Sequence, residues 1–256
     1  MTGRGSPSDR AVDEITFTLE QARRVQRNYG AWAPLYGWFA RATASVGGVR
    51  EGCVDALGLD SGDTVVDFGC GPGVNLPALR RAVGSDGRVV GIDITGPMLE
   101  RAGRRIDRHG WGNVSLVRGD ATRPPVQDAD AVLSTFVTSL FPDPESVVRR
   151  WCALADSVVV ANFAPRGTRP ANAALSAFAR VNARLFDVEE ADPLEQLDER
   201  TAASRRALET EMEAVTTEEY VFGTIEVNAG RRERDAETRR SDSSHRTDSP
   251  EPPTTG

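Results

Sequence analysis

The residues best suited to chemistry sit in one stretch of the chain. A β-branched run, DTVVDFG (63–69), feeds directly into Gly69-Cys70-Gly71-Pro72-Gly73. Glycines let a backbone reverse tightly and let a ligand approach its amides. A helix that starts just afterwards aims its unpaired N–H groups at the same place. This is the chemistry of a nucleotide-binding first turn. A second apolar run, GRVVGIDIT (87–95), carries Asp93 near its end. That acid lies about 20 residues beyond the glycines, the spacing at which a carboxylate accepts from both hydroxyls of a ribose. The dinucleotide fingerprint G-x-G-x-x-G fits neither register. It requires glycine at Val74 when counted from Gly69, or at Leu76 when counted from Gly71. NAD or FAD binding is therefore disfavoured.

Composition removes other chemistries. The 31 basic residues are all arginine, since the sequence contains no lysine. A P-loop, a protein-kinase strand lysine, a pyridoxal-phosphate Schiff base and a Schiff-base aldolase all require one. Only His109 and His245 are present, and no G-x-S-x-G elbow exists for a serine triad. Cys53, Cys70 and Cys152 are widely spaced and odd in number, which offers neither a zinc pattern nor a disulfide framework, so no metal site is expected. A net charge of −7 argues against a general nucleic-acid binder. No apolar run reaches the length of a membrane span and no signal peptide opens the chain, so a cytoplasmic protein is expected. Acidic excess without lysine also resembles the proteins of extreme halophiles.

The surrounding elements must place the glycine loop and Asp93 together. PALRRAV (77–83), PMLERAGRRIDRHG (97–110) and PESVVRRWCAL (144–154) read as helices, the last capped by Asp143. NVSLVRGD (113–120), DADAVLSTFV (128–137) and DSVVVANFAP (156–165) read as strands. Strands alternating with short helices imply a doubly wound, mostly parallel sheet. Residues 1–12 read as a disordered N-terminus, 14–44 as a helical leader rich in aromatics, and 171–215 as two helices joined near Asp192-Pro193. EEYVFGTIEVNAG (218–230) reads as a strand or a bent pair, and 230–256 as a disordered tail without core-forming residues. The folded domain is then 13–229, with a cofactor-binding core at 63–165.

VVDFGCGPG (65–73) resembles the signature loop of class I S-adenosylmethionine-dependent methyltransferases, roughly D-x-G-C-G-x-G. The likeness continues through GIDIT (91–95), GDAT (119–122) and STFVTSLFPDP (134–144), each at the carboxyl end of a strand. It implies a Rossmann-like α/β fold with a six- or seven-stranded sheet and a helical lid, and S-adenosylmethionine as cofactor. It implies that Gly69, Gly71 and Gly73 shape the loop around the methionine part and that Asp67 faces its ammonium group, directly or through water. Asp93 would hold the ribose, and Ile94 and Met98 would pack on the adenine. Asp120 with the backbone of Ala121 would read the adenine edge. NYGAWAPLYG (28–37) resembles the Y-D-x-x-A-x-x-Y-D leader of small-molecule methyltransferases, with Gly30 and Gly37 in place of its aspartates. Tyr29, Trp32, Tyr36 and Phe136 are the expected acceptor contacts. The expected reaction is in-line methyl transfer to a small, apolar or amphipathic metabolite, such as a quinone precursor or a lipid-like molecule. No residue is singled out as a general base. The alternative is a non-catalytic methyltransferase-like interaction module. Oligomeric state is left open.

Overall fold

The computed structural model describes residues 48–169, 172–173, 175–176 and 193–233. The expected disordered N-terminus, the helical leader and most of the first of the paired helices lie outside these residues, as does the tail beyond Glu233.

Among the described residues the first element is α1 (Val49–Leu57), followed by β1 (Thr64–Phe68), α2 (Leu76–Val83), β2 (Arg88–Asp93) and α3 (Gly96–His109). Then come β3 (Val114–Arg118), β4 (Ala131–Thr135), a 3-10 turn at Thr138–Leu140, α4 (Pro144–Cys152) and β5 (Ser157–Phe163). The chain closes with α5 (Pro193–Glu211), β6 (Ala214–Tyr220) and β7 (Ile225–Arg231). The seven strands form one sheet in the order β3-β2-β1-β4-β5-β7-β6. β1 to β5 are mutually parallel, and β7 runs antiparallel between β5 and β6.

Both faces of the sheet are covered, so its central strands are apolar at nearly every position. Alternation sends Val65 of β1 to one side and Val66 and Phe68 to the other. The first side packs on α1, α2 and α3 through residues such as Val54, Leu57, Leu76, Leu79 and Ala102. The second packs on α4 and α5, where Trp151 stacks on Phe68 at 4.9 Å and Ala207 and Leu208 are buried. Local signals set the ends of the helices. Asp143 accepts from the Ser146 backbone N–H at 3.0 Å, with Pro144 in the first turn of α4.

Several expectations are refined. Of the two readings of 218–230, the pair is the one found: β6 and β7 are antiparallel strands divided by the turn at 221–224, their first strand starts earlier, at Ala214, and they complete seven strands. The tail boundary at 230 is too early, because Gly230 and Arg231 still pair with β5 and β6. The second paired helix ends at Glu211 rather than 215, since Ala214 and Val215 begin β6. This helix, α5, lies beside α4 against the sheet. The sequence pattern does not predict α1.

Candidate functional site

Strand order reverses between β1 and β4, and open α/β sheets bind ligands at the carboxyl edge of such a switch point. The glycine loop sits there. Gly69, Gly71 and Gly73 have φ of 69°, 53° and 73°, a backbone that costs a side-chain-bearing residue energy. Their surroundings differ. A Cβ on Gly69 would meet Val137 Cγ2 at 2.3 Å, in the segment after β4, and one on Gly73 would meet Leu76 Cδ1 at 2.6 Å. A Cβ on Gly71 would meet, among the described residues, nothing nearer than the Gly69 carbonyl at 3.9 Å. Gly69 and Gly73 therefore serve close packing, whereas buried Gly71 has room beside it among the described residues.

Asp93 ends β2 and reaches across to that loop. Its Oδ2 accepts from the Gly71 backbone N–H at 2.9 Å, and its Oδ1 from the Thr95 N–H at 2.8 Å. Burial raises its pKa, while the Thr95 and Gly71 amides oppose the rise. Each oxygen retains a lone pair for a hydroxyl donor. Next to it Ile94 is 36% exposed, an apolar side chain presented to solvent at the same edge. Met98 is 2% exposed and lies in the first turn of α3.

Asp120 lies just past β3. Its Oδ1 accepts from both the N–H and the hydroxyl of Thr122, each at 2.8 Å, leaving Oδ2 without a partner among the described residues. The turn is pinned from below, because the indole N–H of buried Trp151 donates to the Ala121 carbonyl at 2.8 Å.

Asp67 is fully buried, on the side of β1 that faces α1 and α2. The Asn75 amide nitrogen lies 3.1 and 3.2 Å from its two oxygens and 3.1 Å from Thr135 Oγ1. Arg50 donates to the Asn75 carbonyl oxygen. Burial pushes the Asp67 carboxyl up to about 7, against the pull of Asn75 and Arg50. Sequence reading misses Arg50, Asn75 and Thr135, since only the fold brings α1, the start of α2 and the end of β4 together.

On the far side of the switch point Phe136 follows β4 with φ of 62°. A bulky residue in the left-handed region is strained, and such strain concentrates where a side chain must be aimed. The conformation is held by its N–H, which donates to the Ala161 carbonyl at 2.7 Å, and by its ring, stacked on Phe163 at 4.6 Å. The middle of α5 is fastened to the same edge: Thr201 donates to the Phe163 carbonyl at 3.0 Å, and Arg200 donates to the Ser139 carbonyl. Tyr29, Trp32 and Tyr36 lie outside the described residues. His109 is at the C-terminus of α3, stacked on Trp111 at 4.7 Å, at the opposite edge of the sheet from the glycine loop. The three cysteines are free and buried, and burial pushes the Cys53 and Cys152 thiols up to about 12, which keeps them protonated.

Among the described residues no helix is long and apolar enough to cross a membrane, and no three metal-capable side chains converge. Residues 65–157 match the family model of a methyltransferase domain. The chain is 35% identical over 98 residues to the aklanonic acid methyltransferase of Streptomyces sp. (strain C5), covering 38% of this chain and 44% of that protein. It is 37% identical over 108 residues to the nocamycin O-methyltransferase of Saccharothrix syringae, covering 41% of this chain and 39% of that protein. The chain thus spans less than half the length of these curated relatives. Among solved structures it is similar to a SAM-dependent methyltransferase from Aquifex aeolicus, with a TM-score of 0.53 at 20% identity over 71% of this chain and 88% of that one, a likeness of fold.

Proposed function

We propose that this chain, whose core is a class I methyltransferase domain with S-adenosylmethionine as cofactor, transfers the cofactor's methyl group to a small apolar or amphipathic molecule. The observation that carries the proposal is the layout of the carboxyl edge. Gly71 follows β1, an anchored Asp93 ends β2 and a half-free Asp120 follows β3, with an aromatic pair just past β4 and at the end of β5.

The residues fit the cofactor. Gly71 gives its backbone room to lie against the loop. Asp93, held by two amides, would accept from the ribose hydroxyls. Ile94 would cover one face of the adenine. Asp120 Oδ2 and the Ala121 backbone would meet its polar edge. Asp67 is buried and would act by charge rather than contact. When bound, the cofactor supplies an electrophilic methyl on a positively charged sulfur. The protein's part is to orient an acceptor in line with that methyl and to exclude water, and orientation of this kind lowers a barrier by several kcal/mol. Phe136 and Phe163 would form the apolar wall against which an acceptor lies. Among the described residues no histidine stands at this edge, which favours an acceptor that is already nucleophilic, or a carboxylate or tyrosine as base.

The acceptor class is supported by that aromatic wall and by the relatives, whose printed names specify aklanonic acid and nocamycin. Quinone precursors and lipid-like metabolites belong to the same physical class. The acidic, lysine-free composition would suit high salt.

The test is transfer of a labelled methyl group to a panel of phenolic, quinone-like and lipid-like acceptors. Phe136→Ala should raise KM for apolar acceptors and leave cofactor affinity unchanged. An acceptor whose turnover ignores Phe136 would contradict the assignment of this wall.

A further inference from the structure

Three acids end up near the loop, and one does not behave like the others. Asp93 and Asp120 stand at the edge, whereas Asp67 is turned inward with no exposed surface. Its connection runs to α1. Arg50, only 9% exposed, donates to Asn75 Oδ1, and the same amide presents its nitrogen to both oxygens of Asp67. The amide orientation is thereby fixed, oxygen toward the cation and nitrogen toward the anion. Arg50 and Asp67 stand on opposite sides of one amide in a poorly solvated layer, where charges act over longer distances than in water. Asn75 also precedes the first turn of α2 and shares its nitrogen with Thr135 at the end of β4, so the strut ties α1, β1, β4 and the exit of the glycine loop together.

We propose that Arg50 is a positioning residue of the cofactor site: acting through the Asn75 amide, it keeps a negative charge on Asp67 directly behind the glycine loop, where that charge favours a cationic cofactor. This inference rests on reading the edge as an S-adenosylmethionine site. Among the described residues the groups around Asp67 are Arg50 and Cys53 from α1, Asn75 from the start of α2, Asp93 from β2 and Cys70 from the loop, with Thr135 of β4 reached through Asn75. Arg50 is the cation among these described groups. Burial and Asp93 both disfavour ionisation of Asp67, and Arg50 and Asn75 oppose them.

Linkage sets the sign of the pH dependence. S-adenosylmethionine carries a net positive charge, so its binding favours ionised Asp67, and affinity rises as pH climbs through the Asp67 ionisation. S-adenosylhomocysteine lacks the sulfonium charge and should show a weaker dependence. Removing the Arg50 charge moves the ionisation to higher pH.

The experiment is calorimetric titration of the parent, Arg50→Met, Arg50→Lys and Asp67→Asn with both ligands, from about pH 5.5 to 9. In parallel, the Asp67 carboxyl is followed by NMR without ligand. The parent's affinity for S-adenosylmethionine should rise around pH 7. In Arg50→Met the rise should move to higher pH. Affinity at neutral pH should then fall about tenfold for each pH unit by which the rise is displaced, and recover above it. Arg50→Lys should restore the parent profile, and Asp67→Asn should abolish the rise. A purely structural role would lower affinity equally at every pH, and an unmoved Asp67 titration in Arg50→Met would overturn the proposal even if the cofactor binds. Failure of the folded parent to bind at any pH, with the Asp67 titration displaced in Arg50→Met, would instead overturn the cofactor reading beneath it.

Discussion

Alanine at Gly71 and at Gly69 should produce opposite kinds of damage. Both positions have positive φ, 53° and 69°, so each alanine bears about 1–2 kcal/mol for the left-handed backbone. At Gly71 nothing more is lost, because the new methyl meets no atom closer than 3.9 Å. At roughly 2–4 °C per kcal/mol for a chain of this size, Gly71→Ala should melt about 2–8 °C lower. Its methyl would occupy the space where the cofactor meets the loop, so affinity should fall at least about tenfold, or 1.4 kcal/mol. Gly69→Ala places its methyl 2.3 Å from Val137 Cγ2. Overpacking adds about 1–3 kcal/mol to the backbone cost, so stability falls further. Adding Val137→Ala should recover part of that loss, as contacting residues couple in a double-mutant cycle. The assays are thermal melts and cofactor titration on the parent, the two glycine variants, Val137→Ala and the Gly69→Ala/Val137→Ala double variant. Gly71→Ala that binds the cofactor as tightly as the parent would refute the reasoning, because the open side of the loop would then not be the ligand side.

Two further outcomes follow from buried groups. The Asp67 carboxyl moves from an ordinary 3.8 up to about 7 on folding, so folding takes up a proton. The resulting stabilisation is complete below the lower value and is lost as pH rises through the upper one. About three pH units at 1.36 kcal/mol each sets an upper limit near 4 kcal/mol, so urea unfolding of the parent should weaken relative to Asp67→Asn between about pH 4 and 8. Parallel curves for the two proteins would contradict this. Trp151→Phe removes the donor to the Ala121 carbonyl and should cost about 1–3 kcal/mol in denaturant unfolding. It should also weaken cofactor binding several-fold by freeing the turn that carries Asp120, whereas unchanged affinity would mean that the Thr122 contacts alone hold that turn.

The parts of the fold legible in the sequence are those whose local pattern and tertiary role agree. β1 is a β-branched run that must end where Gly69 reverses the chain, and Asp143 caps α4 by a bond three residues long. Asp93 is legible because spacing alone places it at the end of β2. α1 is not. Its nine residues carry a glycine, two acids and little apolar contrast, and only packing against α2 and the sheet makes it a helix. The β6–β7 hairpin hides its first strand because Ala214–Tyr220 is an exposed edge with a polar, acidic sequence. Met98 reads as a ligand contact from its place after β2, and the structure buries it in the first turn of α3. The inward turn of Asp67 and its strut to Arg50 depend on residues 17 positions apart in sequence and on β4, and no local signal reports such a meeting. The positive φ of Phe136 is likewise invisible, since nothing about phenylalanine invites it.

The most direct measurement is calorimetric titration of the purified protein with S-adenosylmethionine, repeated with Asp93→Ala and run in molar KCl as well as in ordinary buffer. Asp93 joins the loop and the second strand, accepting from Gly71 at 2.9 Å and from Thr95 at 2.8 Å. The account predicts micromolar binding by the parent that is lost in a folded Asp93→Ala protein. Binding that survives the substitution unchanged, or a folded parent that binds nothing in either buffer, would contradict it.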